Sequence, residues 1–172
     1  ERDQLKQEVR ELKSASGGAE AGDEVRMRAG LTPLVGPGVI VRLDDSSRKA
    51  RTGENPNLYL IHDDDLLKVI NELRAAGAEA LSVNGQRLTG TSEIRCAGPT
   101  LSVRSAPPFE VRAIGDTHAL EQALKMRGGV ADTLKVWGIE LVIETADDVH
   151  IPAYKGALTY TYAHETEEEA AP

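Results

Sequence analysis

The sequence predicts an α+β domain entered through a helical, coiled-coil-like stalk. Three observations carry that prediction. A charged heptad-like pattern opens the chain, a Pro/Gly-rich stretch follows it, and β-branched runs then alternate with segments of helical period. With 172 residues and 40% apolar composition, one core-bearing domain plus appendages fits the length.

The stalk is assigned to residues 1–30. Leu5, Val9 and Leu12 recur at i, i+4 and i+7, and four acids balance four bases between Glu1 and Lys13. So short a seam is marginal alone, so it predicts a partner helix or an upstream continuation. Ser14-Ala15-Ser16-Gly17-Gly18 weakens it and marks a hinge, after which Ala19 to Ala29 is again compatible with helix. The chain opens on Glu1 in mid-pattern, which points to a natural segment upstream.

The domain is assigned to residues 31–164. Two prolines and three glycines between Gly30 and Gly38 argue against regular structure, so the first strand is placed at Val39 to Leu43. The polar stretch from Ser46 to Asn57 reads as a long loop, mobile or functional. Leu66, Val69, Ile70 and Leu73 fall at i, i+3, i+4 and i+7 and predict a helix from about Asp64 to Ala76, stopped by Gly77. Burying those four side chains stabilises by about 1.5 to 3 kcal/mol each, so this helix should anchor the core.

Ala78 to Val83 reads as a strand, and Asn84-Gly85 signals a type I′ turn into Gln86-Arg87-Leu88. Ser92 to Ala97 and Leu101 to Arg104 alternate as a second hairpin around Gly98-Pro99. Phe109 to Ile114 is another strand. Asp116 or Thr117 caps a helix running to Met126, Val130 to Trp137 adds a shorter helix, and Ile139 to Glu144 closes the pattern as a strand. Leu158 to Tyr162 can add an edge strand, and residues 165–172 form an acidic tail with nothing to bury, read as disordered. Strand, helix, strand, hairpin additions, strand, helix, strand is the order of a ferredoxin-like split βαβ sandwich with an inserted hairpin.

Composition excludes some functions. A net charge of −8 and 3% aromatics leave neither a cationic field nor stacking platforms, so nucleic acid is not an expected partner. The lone Cys96, in a strand-like alternation, reads as a buried, inert thiol. No spanning helix or signal peptide is visible. The glycine clusters lack the spacing of a phosphate loop, and no nucleophile lies in an elbow context, so no cofactor and no catalytic residue are assigned.

Three constellations remain. His62 with Asp63, Asp64 and Asp65 has metal-ligand chemistry, but Asp63 suits the helix N-cap and its neighbours suit the positive end of the helix dipole. No metal site is assigned. Asn84, Gln86 and Arg87 set two amides beside a guanidinium, a combination fit for a carboxylate, phosphate or sugar. His62 and Asp65 complete that candidate ligand set if the fold brings them to one pocket. His118 near Asp116 falls at a helix start, which accounts for both, and Trp137 and Phe109 read as core.

The run from Ile61-His62-Asp63-Asp64-Asp65-Leu66 through Val69 to Ala80, with Asn84-Gly85-Gln86-Arg87, resembles the YlxW/YlxX-like family of uncharacterised bacterial proteins. Pro107-Pro108-Phe109, Ala113-Ile114-Gly115-Asp116 and Ile151-Pro152-Ala153-Tyr154 extend the resemblance over roughly residues 30–163. It implies a Gram-positive protein with an N-terminal membrane segment, a coiled coil and an extracytoplasmic domain, with some members encoded beside cell-division genes. It supplies no catalytic residues.

Two functions follow as expectations. The first is a membrane-tethered, non-enzymatic scaffold of the cell envelope that self-associates through Leu5, Val9 and Leu12 and meets envelope or division proteins. Its membrane contact would run only through a segment outside this sequence. The second is a ligand-sensing or enzymatic domain that holds a small anionic or glycan ligand with Asn84, Gln86, Arg87, His62 and Asp65 in a shared pocket.

Overall fold

The computed structural model describes residues 18–97, 100–101 and 107–164. The seam of Leu5, Val9 and Leu12, the end of the second hairpin and the acidic tail lie outside these residues, as does the Cys96 side chain.

The element order is α1 (Gly18–Arg28), β1 (Leu34–Leu43), a 3-10 turn (Pro56–Tyr59), α2 (Asp63–Ala75), β2 (Ala80–Val83), β3 (Gln86–Arg87), β4 (Cys96–Ala97), β5 (Thr100–Leu101), β6 (Phe109–Ile114), α3 (Thr117–Leu124), α4 (Val130–Val136) and β7 (Leu141–Ile151). The domain is α+β. Five strands form one antiparallel sheet in the order β3-β2-β6-β1-β7, and β4 and β5 pair as a separate ribbon.

Period-2 alternation divides the sheet faces. Val39, Val41, Leu43, Leu81, Val83, Phe109, Val111 and Ala113 point into the main core, where Leu66, Val69, Ile70 and Leu73 of α2 and Leu120 and Leu124 of α3 meet them. The helical period read from the sequence is therefore the packed face of α2. Its observed N-cap is His62 rather than Asp63. The Asp65 carboxylate reaches back to accept from the His62 N–H at 3.0 Å, which leaves Asp63 as the first helical residue. Asp116 caps α3 as expected, its Oδ1 accepting from Ala119 N at 2.7 Å. That helix ends at Leu124, and Lys125 is its C-cap.

β1 runs straight through Gly36-Pro37-Gly38, where irregular structure is expected from composition. Its register against β7 slips between Gly36 and Gly38, while Pro37 turns its backbone groups toward β6, whose regular pairing with β1 ends at Gly38, so the ladder asks for no donor at Pro37. The Pro37 carbonyl still accepts from Gly115 N on the β6 side, at 2.9 Å. Glycine at 38 is required by proximity, since a Cβ there would lie 1.9 Å from the Ala113 carbonyl oxygen.

β7 extends seven residues beyond Glu144: Thr145 and Ala146 continue the ladder with β1, the bulge takes up Asp147 and Asp148, and Val149 and Ile151 are then buried in a second cluster with Ala80 and Ile114. No strand forms at Leu158 to Tyr162. Tyr160 and Tyr162 are largely exposed there. Phe109 is core as expected, but Trp137 is half-buried and meets the Tyr59 ring edge-on, with centroids 5.8 Å apart. Among the described residues no helix is long and apolar enough to cross a membrane.

Candidate functional site

The two central residues of the β2–β3 hairpin, Asn84 (φ 46°) and Gly85 (φ 74°), both take positive φ, as a type I′ turn demands. Asn84 does more than turn the chain. Its Oδ1 accepts from Glu110 N at 2.6 Å, while its own N–H donates to Glu110 O at 2.8 Å. Both bonds lock the hairpin against β6, so the Asn84 amide serves the sheet.

Arg87 is the least expected residue of the fold. Only 5% of it is exposed, and it has no carboxylate within ion-pair distance among the described residues. Its guanidinium turns toward the end of α1, where Nη2 donates to the Met27 carbonyl at 3.3 Å and Nη1 to the Thr32 carbonyl at 3.5 Å. Burial pushes the guanidinium below its ordinary pKa, yet Arg stays charged at any physiological pH. A cation at the C-terminal end of a helix complements its dipole, and Arg87 supplies it from across the fold.

The helix end it holds is closed by a Schellman motif. Leu31 N donates to Arg26 O at 2.9 Å and Gly30 N to Met27 O at 3.0 Å, with Gly30 at φ 79°. A third segment joins the junction, since Tyr154 N donates to Gly30 O at 2.7 Å. The site is thus a joint of α1, β3 and the chain after β7. Two buried hydroxyls at this joint, Thr32 Oγ1 and Ser82 Oγ, have no protein hydrogen-bond partner among the described residues, and Ser82 stands opposite Arg87 in the hairpin register.

The five candidate ligand residues do not share a pocket, which corrects the expectation. Gln86 and Arg87 line an open cavity of about 790 Å³ with Thr91, Ser92, Tyr154 and Lys155. His62 and Asp65 line a different one of about 320 Å³, with Asn57, Lys68 and Trp137. Asn84 lines neither. His62 Nε2 lies 2.8 Å from Asn57 O, so His62 and Asp65 are engaged in holding the loop before α2 and the start of that helix. The same loop is tied at its base, with Asp45 Oδ1 accepting from Ile61 N at 2.8 Å and Ser46 N donating to Tyr59 O at 2.9 Å. Among the described residues no three His, Cys, Asp or Glu side chains converge as a metal site would need. His118 is exposed beside the Asp116 cap.

An α+β domain with a braced helical entry and no assembled reaction centre among its described residues is the class that fold and site define. Residues 22–164 match the family model described as a bacterial protein of unknown function, DUF881, and the chain belongs to that family. It is 39% identical over 135 residues to the UPF0749 protein YlxW of Bacillus subtilis, a match covering 77% of this chain and 58% of that protein. The UPF0749 protein Rv1825 of Mycobacterium tuberculosis is 32% identical over 141 residues, covering 78% of this chain and 44% of the relative. The chain therefore spans about half the length of these relatives. The crystal structure of an uncharacterized conserved protein from Mycobacterium tuberculosis superimposes with a TM-score of 0.65 at 28% identity, covering 83% of this chain and 96% of that one.

Proposed function

We propose that this chain is a non-enzymatic interaction module of the cell envelope, in which a helical stalk enters a ferredoxin-like sandwich at a fixed angle. The carrying observation is Arg87, a buried cation spent on the last turn of α1 and on the loop that follows. A flexible tether needs no such brace. A module that presents its surfaces in a defined direction relative to its stalk does.

Support for the ferredoxin-like assignment comes from the order β2-β6-β1-β7, all antiparallel, with α2 crossing between β1 and β2 and α3 and α4 between β6 and β7. The membrane, division and Gram-positive associations rest on the family resemblance and are part of the proposal, as is self-association through Leu5, Val9 and Leu12. Sedimentation of the 172-residue chain tests the last. A dimer that dissociates in Leu5→Asp/Leu12→Asp supports it. A monomer at high concentration, with no envelope protein crosslinked to the full-length protein in cells, would contradict the proposal.

One observation favours a second reading, a ligand cavity at Gln86 and Arg87: no carboxylate neutralises Arg87 among the described residues. Thermal-shift titration with phosphate and glucuronate separates the two. Stabilisation that is lost in Gln86→Ala supports the ligand cavity, and no shift supports the brace.

A further inference from the structure

β7 is the last strand of the sheet and pairs on one side only. Which of its backbone groups face outward follows from the neighbouring ladders. Glu110 O accepts from Asn84 N on the β2 side, so Phe109, Val111 and Ala113 turn their backbone groups to β1. Their partners Val41 and Leu43 therefore face β6, and Ile40 and Arg42 face β7, opposite Glu144 and Val142. By alternation, the N–H and C=O groups of Leu141, Ile143 and Thr145 point away from the sheet. Among the described residues no backbone hydrogen bond reaches them.

Natural sheets hide such an edge, because it is a template for another strand. Here the edge is regular, and the bulge comes only after Ala146. Its side chains are receptive too. Leu141 and Ile143 are core residues left partly exposed at the rim, and Val142 is 54% exposed on the other face. Glu140, Glu144, Asp147 and Asp148 flank or lie within the strand, and among the described residues only Glu144 of these has a cationic partner, Arg42, at 3.0 Å.

We propose that the outer edge of β7, from Leu141 to Thr145, is a docking site for an extended, basic segment of a partner protein, added to the sheet as a sixth strand. The sign of the charge selects the occupant. A second copy pairing through β7 would set eight carboxylates along one ribbon, whereas a Lys- or Arg-bearing strand neutralises them. Backbone bonds at Leu141, Ile143 and Thr145 supply the pairing, and an apolar residue on the α-helical side of the partner strand covers Leu141 and Ile143. The proposal deepens the interaction-module reading and rests on it, but it is independent of the stalk, so each can fail alone.

The test is amide NMR of the 172-residue chain titrated with a peptide of alternating Lys and Val, about seven residues long, against the Glu-Val counterpart. The Lys peptide is expected to slow amide exchange at Leu141, Ile143 and Thr145, and the Glu peptide to leave them unchanged. Thr145→Pro removes an outward N–H without touching the β1 ladder, and should weaken binding at least about tenfold. Glu140→Lys/Asp147→Lys should exchange the preference between the two peptides. Overturning results are Lys-peptide binding that Thr145→Pro leaves intact, no binding by either peptide, or amides already protected in the free chain, which would place a second copy on the edge. Thr145→Pro is judged only if its remaining β1 and β6 amides keep wild-type shifts; otherwise the charge-swapped variant decides.

Discussion

Replacing Arg87 with Ala removes two charge-assisted hydrogen bonds, to Met27 O at 3.3 Å and Thr32 O at 3.5 Å. Both are long, so each is credited with about 1 kcal/mol, below the usual range for bonds to a charged group. The buried aliphatic stem adds about 1 to 2 kcal/mol of lost apolar contact. Against this stands the desolvation that the guanidinium no longer suffers, a cost already visible in its lowered pKa. The net expectation is a loss of about 2 kcal/mol for Arg87→Ala, or about 5 to 8 °C in Tm for a domain of this size. Arg87→Met keeps most of the stem and should lose about half as much. Chemical denaturation of the two variants beside wild type measures both. An Ala variant within about 0.5 kcal/mol of wild type would refute the brace, and a Met variant equal to wild type would assign the whole effect to packing.

Other substitutions probe the frame around the joint. Ser82→Ala removes a buried hydroxyl that has no partner among the described residues and should leave stability unchanged or raise it by up to about 1 kcal/mol in urea melts. Gly38→Ala would place a Cβ 1.9 Å from the Ala113 carbonyl oxygen, forcing β1 from β6, and should abolish the cooperative thermal transition. Asp116→Ala should cost about 1 kcal/mol through loss of the α3 cap, read from the denaturation midpoint. Burial alone would raise the Glu110 carboxyl, but hydrogen bonds and charge from Arg112 and Arg42 outweigh it and hold it below its ordinary value. A depressed carboxyl stabilises the fold above its unfolded pKa and ceases to as pH falls through the folded one. Stability should therefore decline from about pH 4.5 downward, less steeply in Glu110→Gln, as followed by denaturation across an acid series.

Much of this fold is written locally. The α2 stripe is legible because Leu66, Val69, Ile70 and Leu73 repeat at the helical period and all four are buried. The Asn84-Gly85 turn is legible because few residues tolerate positive φ. β1 was harder, since Pro37 normally breaks a strand and is harmless here because its backbone faces β6 just past the last β1–β6 pair, Gly38 with Ile114, a fact held in a segment far along the chain. The bulge hid the length of β7, whose Thr145 to Asp148 carry no apolar alternation. At the site, residue types singled out Asn84, Gln86 and Arg87, but not their work. The Arg87 partners lie 55 and 60 residues upstream and are backbone carbonyls, which leave no mark in side-chain identity. The one local hint was Gly30, whose left-handed conformation ends α1 where the brace takes hold.

The central claim is that α1 leaves the domain in one direction. Pulsed electron-electron resonance between spin labels at Val25 on α1 and Met126 after α3, both exposed, reads that direction once Cys96 is replaced by Ser. A single narrow distance distribution is expected in the otherwise native chain and a broad one when Arg87→Ala is added. A broad distribution with Arg87 present, or a narrow one that survives its loss, would contradict it.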